Sequence, residues 1–310
     1  YLMLTNRCNL NCAHCCADAS GMEGEDELST GEWFEIIDIL IELGVERIAI
    51  TGGEPLVRKD FWEILDYLYR NFHGDLALST NGLLINETNV NKIMECFASI
   101  NISLDGYDEE SCSKIRGRGV FTKVIKKVKL LKERGYETRR ISLSMVETSV
   151  TYQGIDKFEE LCKELQVKPI MRKFSATGRG ADNAKWLRIS EEEIMHGMYA
   201  KDEKLRQELD ISCLLCQNCA AGRTKLSINQ RGDIFPCAVL DSDDFCLGNI
   251  LKDKNVFSTI RSQWCKEDKS MRQSEGLQAF NKLLIKNMEK CAHKCKHSRT
   301  FSIFPSLTVS

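Results

Sequence analysis

The chain has 310 residues, 43% of them hydrophobic and 28% charged, with a formal net charge of −2 and a pI near 6.3. A chain of this size has room for one large domain and one small one. Its near-neutral charge gives no electrostatic reason to bind nucleic acid, and no apolar run approaches the roughly 20 residues that a membrane-spanning helix needs. We therefore expect a cytoplasmic protein without nucleic-acid or membrane partners.

The 15 cysteines do not fit a disulfide scaffold. Disulfide-rich domains are small and secreted, whereas this chain is long and has no signal-like start. Two groups of cysteines stand out, a C-x3-C-x2-C run near the start and a C-x2-C-x2-C run in the last third. Grouped thiols in a reducing compartment favour iron–sulfur ligation. Three single cysteines, Cys96, Cys112 and Cys162, are interpreted as small buried hydrophobic residues.

From Tyr1 to about Arg172, short apolar or β-branched runs alternate with amphipathic segments, a pattern typical of parallel strands joined by helices. A capping sequence at Ser29 predicts a first helix that ends at Gly44. Six strand–helix units are too few for a closed eight-stranded barrel, so we expect an α/β fold with an open partial (β/α)6 barrel. Its active site is expected at the carboxyl ends of the strands. The predicted strands are 1–5, 46–51, 75–80, 99–104, 139–146 and 168–173, and the further helices are 58–72, 86–97, 121–134 and 154–165.

The first motif is Cys8-Asn-Leu-Asn-Cys12-Ala-His-Cys15, directly after the first strand. Three cysteines at these spacings on one loop can place three thiolates on one face, where they ligate three irons of a [4Fe–4S] cube. Ferredoxin-type proteins close such a cluster with a fourth cysteine, whereas a loop of three leaves one iron open for a cofactor. The side chain of Cys16 is expected to point away. A zinc knuckle and buried structural thiols are the alternatives.

Polar motifs follow the next three predicted strands. They are Gly52-Gly53-Glu54-Pro55, Ser79-Thr80-Asn81-Gly82 and Ser103-Leu104-Asp105-Gly106. Two glycines let the backbone approach a ligand closely, and a glutamate adds an acceptor for an ammonium group. Either the first or the last motif taken alone is equally compatible with a simple turn. Their shared position at strand ends favours a real site.

Together, the cysteine triplet and these motifs resemble the radical S-adenosylmethionine superfamily. The resemblance implies that the three cysteines form the catalytic cluster site and that S-adenosylmethionine binds its open iron. It also implies that an external donor of the flavodoxin or ferredoxin type supplies an electron, which leads to a 5′-deoxyadenosyl radical. His14 takes the place of an aromatic residue that touches adenine in this family. The implied cofactor-binding residues are Gly52, Gly53, Glu54, Ser79, Asn81, Ser103, Asp105 and Arg116, the first three at the amino group and Arg116 at the methionine carboxylate.

Beyond a Gly-rich connection at 175–188, the chain enters a second field of cysteines. We expect residues 1–185 to form the barrel and residues 186–310 a small auxiliary-cluster domain. Arg172 and Arg179 flank the connection, and an arginine there could reach an anionic group of cofactor or substrate, but each taken alone is interpreted as a solvated loop arginine. The eight candidate metal-binding cysteines of this field are Cys213, Cys216, Cys219, Cys237, Cys246, Cys265, Cys291 and Cys295.

The run from Lys225 to Pro236 predicts a β-hairpin that turns near Gly232 and brings Cys219 and Cys237 to one end. This spacing resembles the SPASM and twitch extensions, which add auxiliary iron–sulfur clusters. The resemblance implies that Cys219 and Cys237 ligate one auxiliary cluster. It leaves the other six as candidates, because the end of the chain departs from the full SPASM pattern. Zinc is again the alternative.

The layout resembles that of peptide maturases. The resemblance therefore implies an enzyme that binds a precursor peptide with a leader and forms a thioether or carbon–carbon crosslink. Ala238 stands where sulfatase-maturing enzymes place a catalytic aspartate, which argues against an aldehyde-forming role. A small-molecule dehydrogenase of the twitch type and a non-catalytic iron–sulfur electron carrier are the alternatives. Because Tyr1 lies almost on the cluster loop, we also expect roughly 80–100 residues upstream that bind the leader.

Overall fold

The protein is described by a computed structural model that covers residues 1–21, 26–189, 225–241, 243–253 and 256. Its centre is a parallel sheet in which six strands lie side by side in chain order. The six predicted strands are confirmed, with ends shifted by a few residues. They are β1 Leu2–Met3, β2 Arg47–Thr51, β3 Asp75–Thr80, β4 Ser99–Ser103, β5 Ile141–Glu147 and β6 Lys168–Lys173.

Helices connect these strands and cover one face of the sheet. The five predicted helices are confirmed, and one further helix, α4, carries Arg116. This helix has only eight residues, most of them polar, so hydrophobic periodicity did not reveal it. Its one local signal is Asp108, which begins the helix with a capping box. The helices are α1 Thr30–Glu42, α2 Phe61–Asn71, α3 Val90–Cys96, α4 Glu109–Arg116, α5 Val120–Glu133 and α6 Ile155–Leu165.

The two faces of the sheet differ in chemistry. Outward-facing residues such as Ile50, Leu78 and Ile102 are fully buried beneath the helices and form the core. Inward-facing residues of the same strands are small or polar. Together with a hairpin in the segment 225–236, they line an interior cavity of about 450 Å³. Because alternate residues of a strand point to opposite faces, each strand end delivers one polar side chain toward this interior. The inward-facing residues that line the cavity include Ala77, Ser79, Ser99, Asn101, Ser142 and Arg172.

The predicted hairpin is confirmed and continues the same sheet. β7 (Ser227–Ile228) and β8 (Asp233–Phe235) are antiparallel, and Gly232 turns between them with a φ of +81°. β9 (Gly248–Asn249) pairs with β8, while β7 pairs in parallel with β1. The described strands therefore form one open nine-stranded sheet that crosses the boundary predicted at residue 185.

None of the helices in the described part of the chain combines the length and the apolar composition that crossing a membrane requires. The three single cysteines expected to be buried, Cys96, Cys112 and Cys162, are all buried in the core.

Candidate active site

The cysteine triplet lies on the loop between β1 and α1. Cys12 is buried, whereas Cys8 and Cys15 are half-buried. Burial, and then the charges of Glu54, Cys12 and Cys15, raise the pKa of Cys8 to about 11, although the hydrogen bond from the Leu10 N–H opposes the shift. The three cysteines stand within one eight-residue stretch of the loop. In the described residues no three ligating side chains converge on one point, as a single metal ion would need. A cube of iron and sulfide instead takes its thiolates at separate corners, and this loop suits such a cluster.

A segment far along the chain holds the cysteine loop in place. The Gly-rich connection contains two helical turns, α7 (Arg179–Asp182) and α8 (Ala184–Leu187), where a loop was predicted. The Arg179 guanidinium donates to the carbonyl oxygens of Cys12 at 3.0 Å and Ala19 at 2.7 Å. The Gly180 N–H donates to the Cys15 carbonyl oxygen at 3.2 Å. The interpretation of Arg179 as a solvated loop arginine was wrong, because it clamps the loop backbone.

Gly52 and Gly53 approach the backbone that leads into the cysteine loop. The Gly53 N–H donates to Thr5 O at 2.7 Å, and the Glu54 N–H donates to Arg7 O at 2.8 Å. A Cβ at Gly53 would overlap the Arg7 carbonyl. The glycines therefore make the expected close approach, and in this structure they make it to the backbone of Thr5 and Arg7.

The Glu54 side chain lies fully buried behind the site. Its Oε1 accepts from the Leu56 N–H at 3.2 Å and from the Thr80 hydroxyl at 2.8 Å. Its Oε2 accepts from the same hydroxyl at 2.9 Å and from the Asn81 N–H at 2.7 Å. Burial raises the pKa of Glu54 to about 7, although these hydrogen bonds favour the charged form. The carboxyl group thus fixes the end of β3.

Asn81 connects this buried carboxyl group to the cysteine loop. Its Nδ2 donates to Asn9 Oδ1 at 2.7 Å and lies 4.0 Å from Cys8 Sγ. Ser79 and Ser103 lie at the neighbouring strand ends, half-buried on the inner face. The structure therefore brings the polar residues of these strand ends to the edge of the sheet that carries the cysteines.

Asp105, Arg116 and His14 form one buried charge cluster beside the loop. The Arg116 Nε donates to Asp105 Oδ2 at 2.5 Å, and His14 Nε2 lies 2.9 Å from the same oxygen. Although burial opposes it, Arg116 and then His14 hold the pKa of Asp105 well below its usual range. Arg116 Nη1 lies 3.7 Å from Cys12 Sγ, so the cluster contacts a candidate iron ligand.

One buried nitrogen of this cluster makes no hydrogen bond within the described residues. His14 Nδ1 is buried and has no hydrogen-bond partner among the described residues. Since buried polar atoms are nearly always paired in folded proteins, an unpaired nitrogen next to the cysteine loop fits a site that receives a polar group of a cofactor. With three thiols nearby, the residues present fit an iron–sulfur cluster and S-adenosylmethionine.

The hairpin brings one auxiliary candidate toward this site. Burial, then the neighbouring thiol of Cys15 and that of Cys237, raise the pKa of Cys16 to about 12. Cys237 directly follows a hairpin that pairs with β1, the strand that leads into the cysteine loop. Cys246 and Cys237 are half-buried against the small apolar cluster of Phe235, Leu240 and Phe245. The remaining candidates lie outside the described residues, namely Cys213, Cys216, Cys219, Cys265, Cys291 and Cys295.

Glu54→Gln is expected to lower the free energy of unfolding by about 1–3 kcal/mol, the cost of a mispaired buried polar group. The amide NH2 must replace one acceptor oxygen and then faces the N–H of Asn81 or Leu56. Chemical denaturation of the anaerobic protein measures the change. Glu63→Gln, an exposed position on α2, is the matched control and is expected to stay within about 0.5 kcal/mol.

The difference in unfolding free energy between wild type and Glu54→Gln is expected to depend on pH. Because the folded pKa of Glu54 is raised from 4.5 to about 7, the stability that its protonation contributes is complete below about pH 4.5. That contribution is lost as the pH rises through 7. The stability advantage of wild type over Glu54→Gln should therefore shrink between pH 5 and pH 8. An advantage that grows with pH would show that the charged carboxylate is the favoured form.

Comparison with known proteins agrees with this geometry. The family model described as the Radical SAM superfamily matches residues 2–165. The mycofactocin maturase MftC of Mycolicibacterium smegmatis is 31% identical over 264 residues, which are 81% of this chain and 66% of the relative. The antilisterial bacteriocin subtilosin biosynthesis protein AlbA of Bacillus subtilis is 30% identical over 271 residues, 83% of this chain and 58% of the relative.

A solved structure shows the same fold. Streptococcus suis SuiB bound to its precursor peptide SuiA superposes with a TM-score of 0.61 at 19% identity, over 84% of this chain and 66% of that one. The chain thus spans about two thirds or less of the length of these relatives. The α/β fold with a parallel sheet that forms an open partial barrel is confirmed by the topology and by this likeness.

Proposed function

The chain belongs to the radical SAM superfamily, and from this premise we propose that it is a maturase of a ribosomally made peptide, forming a thioether or carbon–carbon crosslink. The observation that supports the peptide substrate is the pair of relatives named for mycofactocin and subtilosin biosynthesis, each matched over more than 80% of this chain. A structural neighbour was solved with a precursor peptide, which agrees with the same class of substrate.

We assign the cluster to Cys8, Cys12 and Cys15, on the loop that Arg179 clamps. When bound, the cluster and S-adenosylmethionine supply a 5′-deoxyadenosyl radical that abstracts a hydrogen atom from the substrate. The loop keeps the thiols half-buried or buried, which limits the access of water to this chemistry.

The strand-end residues receive more specific roles. We assign Asn81, Ser79 and Ser103 to the ribose and methionine portions of the cofactor, because they lie at strand ends on the edge of the sheet that carries the cysteine loop. Glu54 acts through Asn81, because its own acceptor positions are occupied within the protein. Arg116 faces the cysteine loop while Asp105 holds it, so its free N–H groups remain the candidates for the methionine carboxylate.

We further propose that residues 186–310 hold one or two auxiliary clusters, with Cys237 and Cys219 as ligands of one. Cys237 follows the hairpin that pairs with β1, the strand that leads into the cysteine loop, which supports an electron path between the two sites. Each crosslink removes two hydrogens: one leaves as an atom taken up by the radical, and the other leaves as a proton with one electron. An auxiliary cluster held by these cysteines would supply the acceptor for that electron. An external redox protein supplies the electron that starts the reaction.

The test incubates the reconstituted full-length protein with S-adenosylmethionine, a reductant and candidate precursor peptides chosen from the reading frames that neighbour its gene. The expected result is 5′-deoxyadenosine together with a peptide that has lost two hydrogens per crosslink, read by mass spectrometry. Cleavage of S-adenosylmethionine without any peptide change, with about eight iron atoms per chain, would favour the small-molecule dehydrogenase; about twelve fits three clusters. Absence of cleavage under dithionite would favour the electron carrier.

A further inference from the structure

Helix α5 is strongly basic in a chain whose net charge is −2. It carries five lysines and a single glutamate, Glu133, in 14 residues. By contrast α6 has four acidic residues and two lysines, and α1 has four acidic residues and no basic one. Among α1 to α6, α5 alone has an excess of positive charge. The lysines are Lys123, Lys126, Lys127, Lys129 and Lys132.

Four exposed basic side chains of α4, α5 and the turn between them border one open, shallow depression of about 980 Å³. These are Lys114, Arg118, Lys123 and Lys126, and the depression is called the basic depression below. Two glutamates also border it, but both are engaged. Glu109 accepts hydrogen bonds from Ser113 and from the first residues of α5, and Glu110 pairs with Lys114 at 2.9 Å. Arg118, Lys123 and Lys126 have no acidic partner among the described residues.

The basic depression lies behind the candidate cluster site. The last turn of α4 touches the cysteine loop, since the Ala13 N–H donates to Ile115 O at 2.9 Å. From the same turn, Arg116 Nη1 reaches to 3.7 Å from Cys12 Sγ. Lys114 and Arg118 stand on either side of Arg116 in the sequence. A molecule seated on the basic depression is therefore separated from the loop by one helical turn.

We propose that the basic depression is the docking site of the one-electron donor, an acidic redox protein that carries a flavin or an iron–sulfur centre. This inference rests on the proposed function, which needs one electron for each cleavage of S-adenosylmethionine. In the docked pair the donor is oxidised by one electron, the cluster is reduced by one, and no bond forms or breaks. Opposite charges on two proteins accelerate their encounter and fix their orientation.

Charge and position together favour a redox protein over other acidic partners. Electron transfer slows steeply with distance, so a donor needs a surface close to the cluster, and the basic depression provides one. A precursor peptide must instead reach the carboxyl ends of the strands, where the polar side chains of Asn81 and Ser103 lie. The basic depression is on the outer side of α4 and α5, away from the inner face of the sheet.

The test reverses two charges of the basic depression on residues that are not assigned to the cofactor. Lys123→Glu with Lys126→Glu in the reconstituted full-length protein is compared with Lys163→Glu with Lys168→Glu. Lys163 is exposed in the last turn of α6, and Lys168 is exposed at the start of β6. An acidic flavodoxin is the probe. Its dissociation constant is read from flavin fluorescence, and cluster reduction by its photoreduced form is followed by absorbance. The rate of 5′-deoxyadenosine formation is measured with this donor and with dithionite.

The first variant is expected to weaken flavodoxin binding and donor-driven cluster reduction by about tenfold or more at low ionic strength. This difference should diminish in high salt, because the Debye length falls to about 3 Å at 1 M. Dithionite-driven rates should stay at the wild-type level, and the control variant should resemble wild type throughout.

Three outcomes overturn the proposal: unchanged flavodoxin binding, an equal loss with dithionite, and loss of precursor-peptide binding in place of donor binding. Failure of the proposed function is read separately. It shows as no 5′-deoxyadenosine with dithionite in wild type, while binding of flavodoxin and reduction of the iron centres still report on the basic depression.

Discussion

Replacing Cys8, Cys12 and Cys15 together by alanine is expected to abolish 5′-deoxyadenosine formation and to remove one cluster from the protein. The three thiols belong to one eight-residue stretch of a single loop, and the triple change leaves that cluster without protein ligands. The protein should remain brown, because the auxiliary cysteines are untouched. Iron and sulfide analysis gives the loss, expected at about four irons per chain, and chromatography gives the product.

The matched control is Cys96→Ala, the same substitution at a buried thiol on α3. It should keep its full iron content and its activity, apart from a modest loss of stability. A colourless triple variant would contradict the assignment of iron to the C-terminal cysteines. A triple variant that keeps both its iron content and its 5′-deoxyadenosine would contradict the assignment of the loop.

The sequence predicted those parts of the fold whose signal is local. In α1, Ile37 and Leu40 belong both to the helical spacing of the sequence and to the buried face of the structure. The strand runs are equally plain, because inward and outward residues differ in polarity. The α4 helix escaped notice because eight mostly polar residues carry no such period; its capping aspartate, Asp108, was the available signal.

Contacts between distant segments left no pattern to read. Arg179 donates to the Cys12 and Ala19 carbonyl oxygens, 167 and 160 residues away in the chain. Backbone carbonyl acceptors are the same at every residue, so no residue type near Cys12 indicates its partner. The hairpin around Gly232 was predictable because its turn and both strands lie in one short segment. The pairing of β7 with β1 was not predictable, because it uses backbone groups that every residue has.

The sequence also identified individual site residues without showing which of them contact one another. Asp105, Arg116 and His14 were each singled out, but separate roles were assigned to them, and the structure joins them in one buried cluster. Glu54 was assigned to an ammonium group of the cofactor, and the structure gives its oxygens to Thr80, Asn81 and Leu56. A resemblance transfers positions, while the contact that a side chain makes depends on its neighbours in this chain.

Gly53→Ala is expected to displace the cysteine loop and to cause the loss of its cluster. A Cβ built at Gly53 overlaps the Arg7 carbonyl oxygen, and it falls 2.8 Å from the Arg7 carbonyl carbon and 2.9 Å from Ala19 Cβ. Backbone cannot swing aside as a flexible side chain can, so we expect the high end of the roughly 1–3 kcal/mol typical of overpacking. Iron content and anaerobic unfolding measure both effects.

Gly31→Ala separates this clash from the general consequences of replacing glycine. Gly31 lies in the first turn of α1, and a Cβ there meets nothing within 4 Å. Alanine is favoured over glycine within a helix by about 1 kcal/mol, so this variant should keep its iron and gain slightly in stability. A Gly53→Ala protein that binds iron and forms 5′-deoxyadenosine as wild type does would show that Arg7 can move without disturbing Cys8. The hydrogen bond from Glu54 N to Arg7 O would then not be needed to hold the cysteine loop. Loss of iron in Gly53→Ala but not in Gly31→Ala would instead show that contact between the ends of β1 and β2 holds this loop in place.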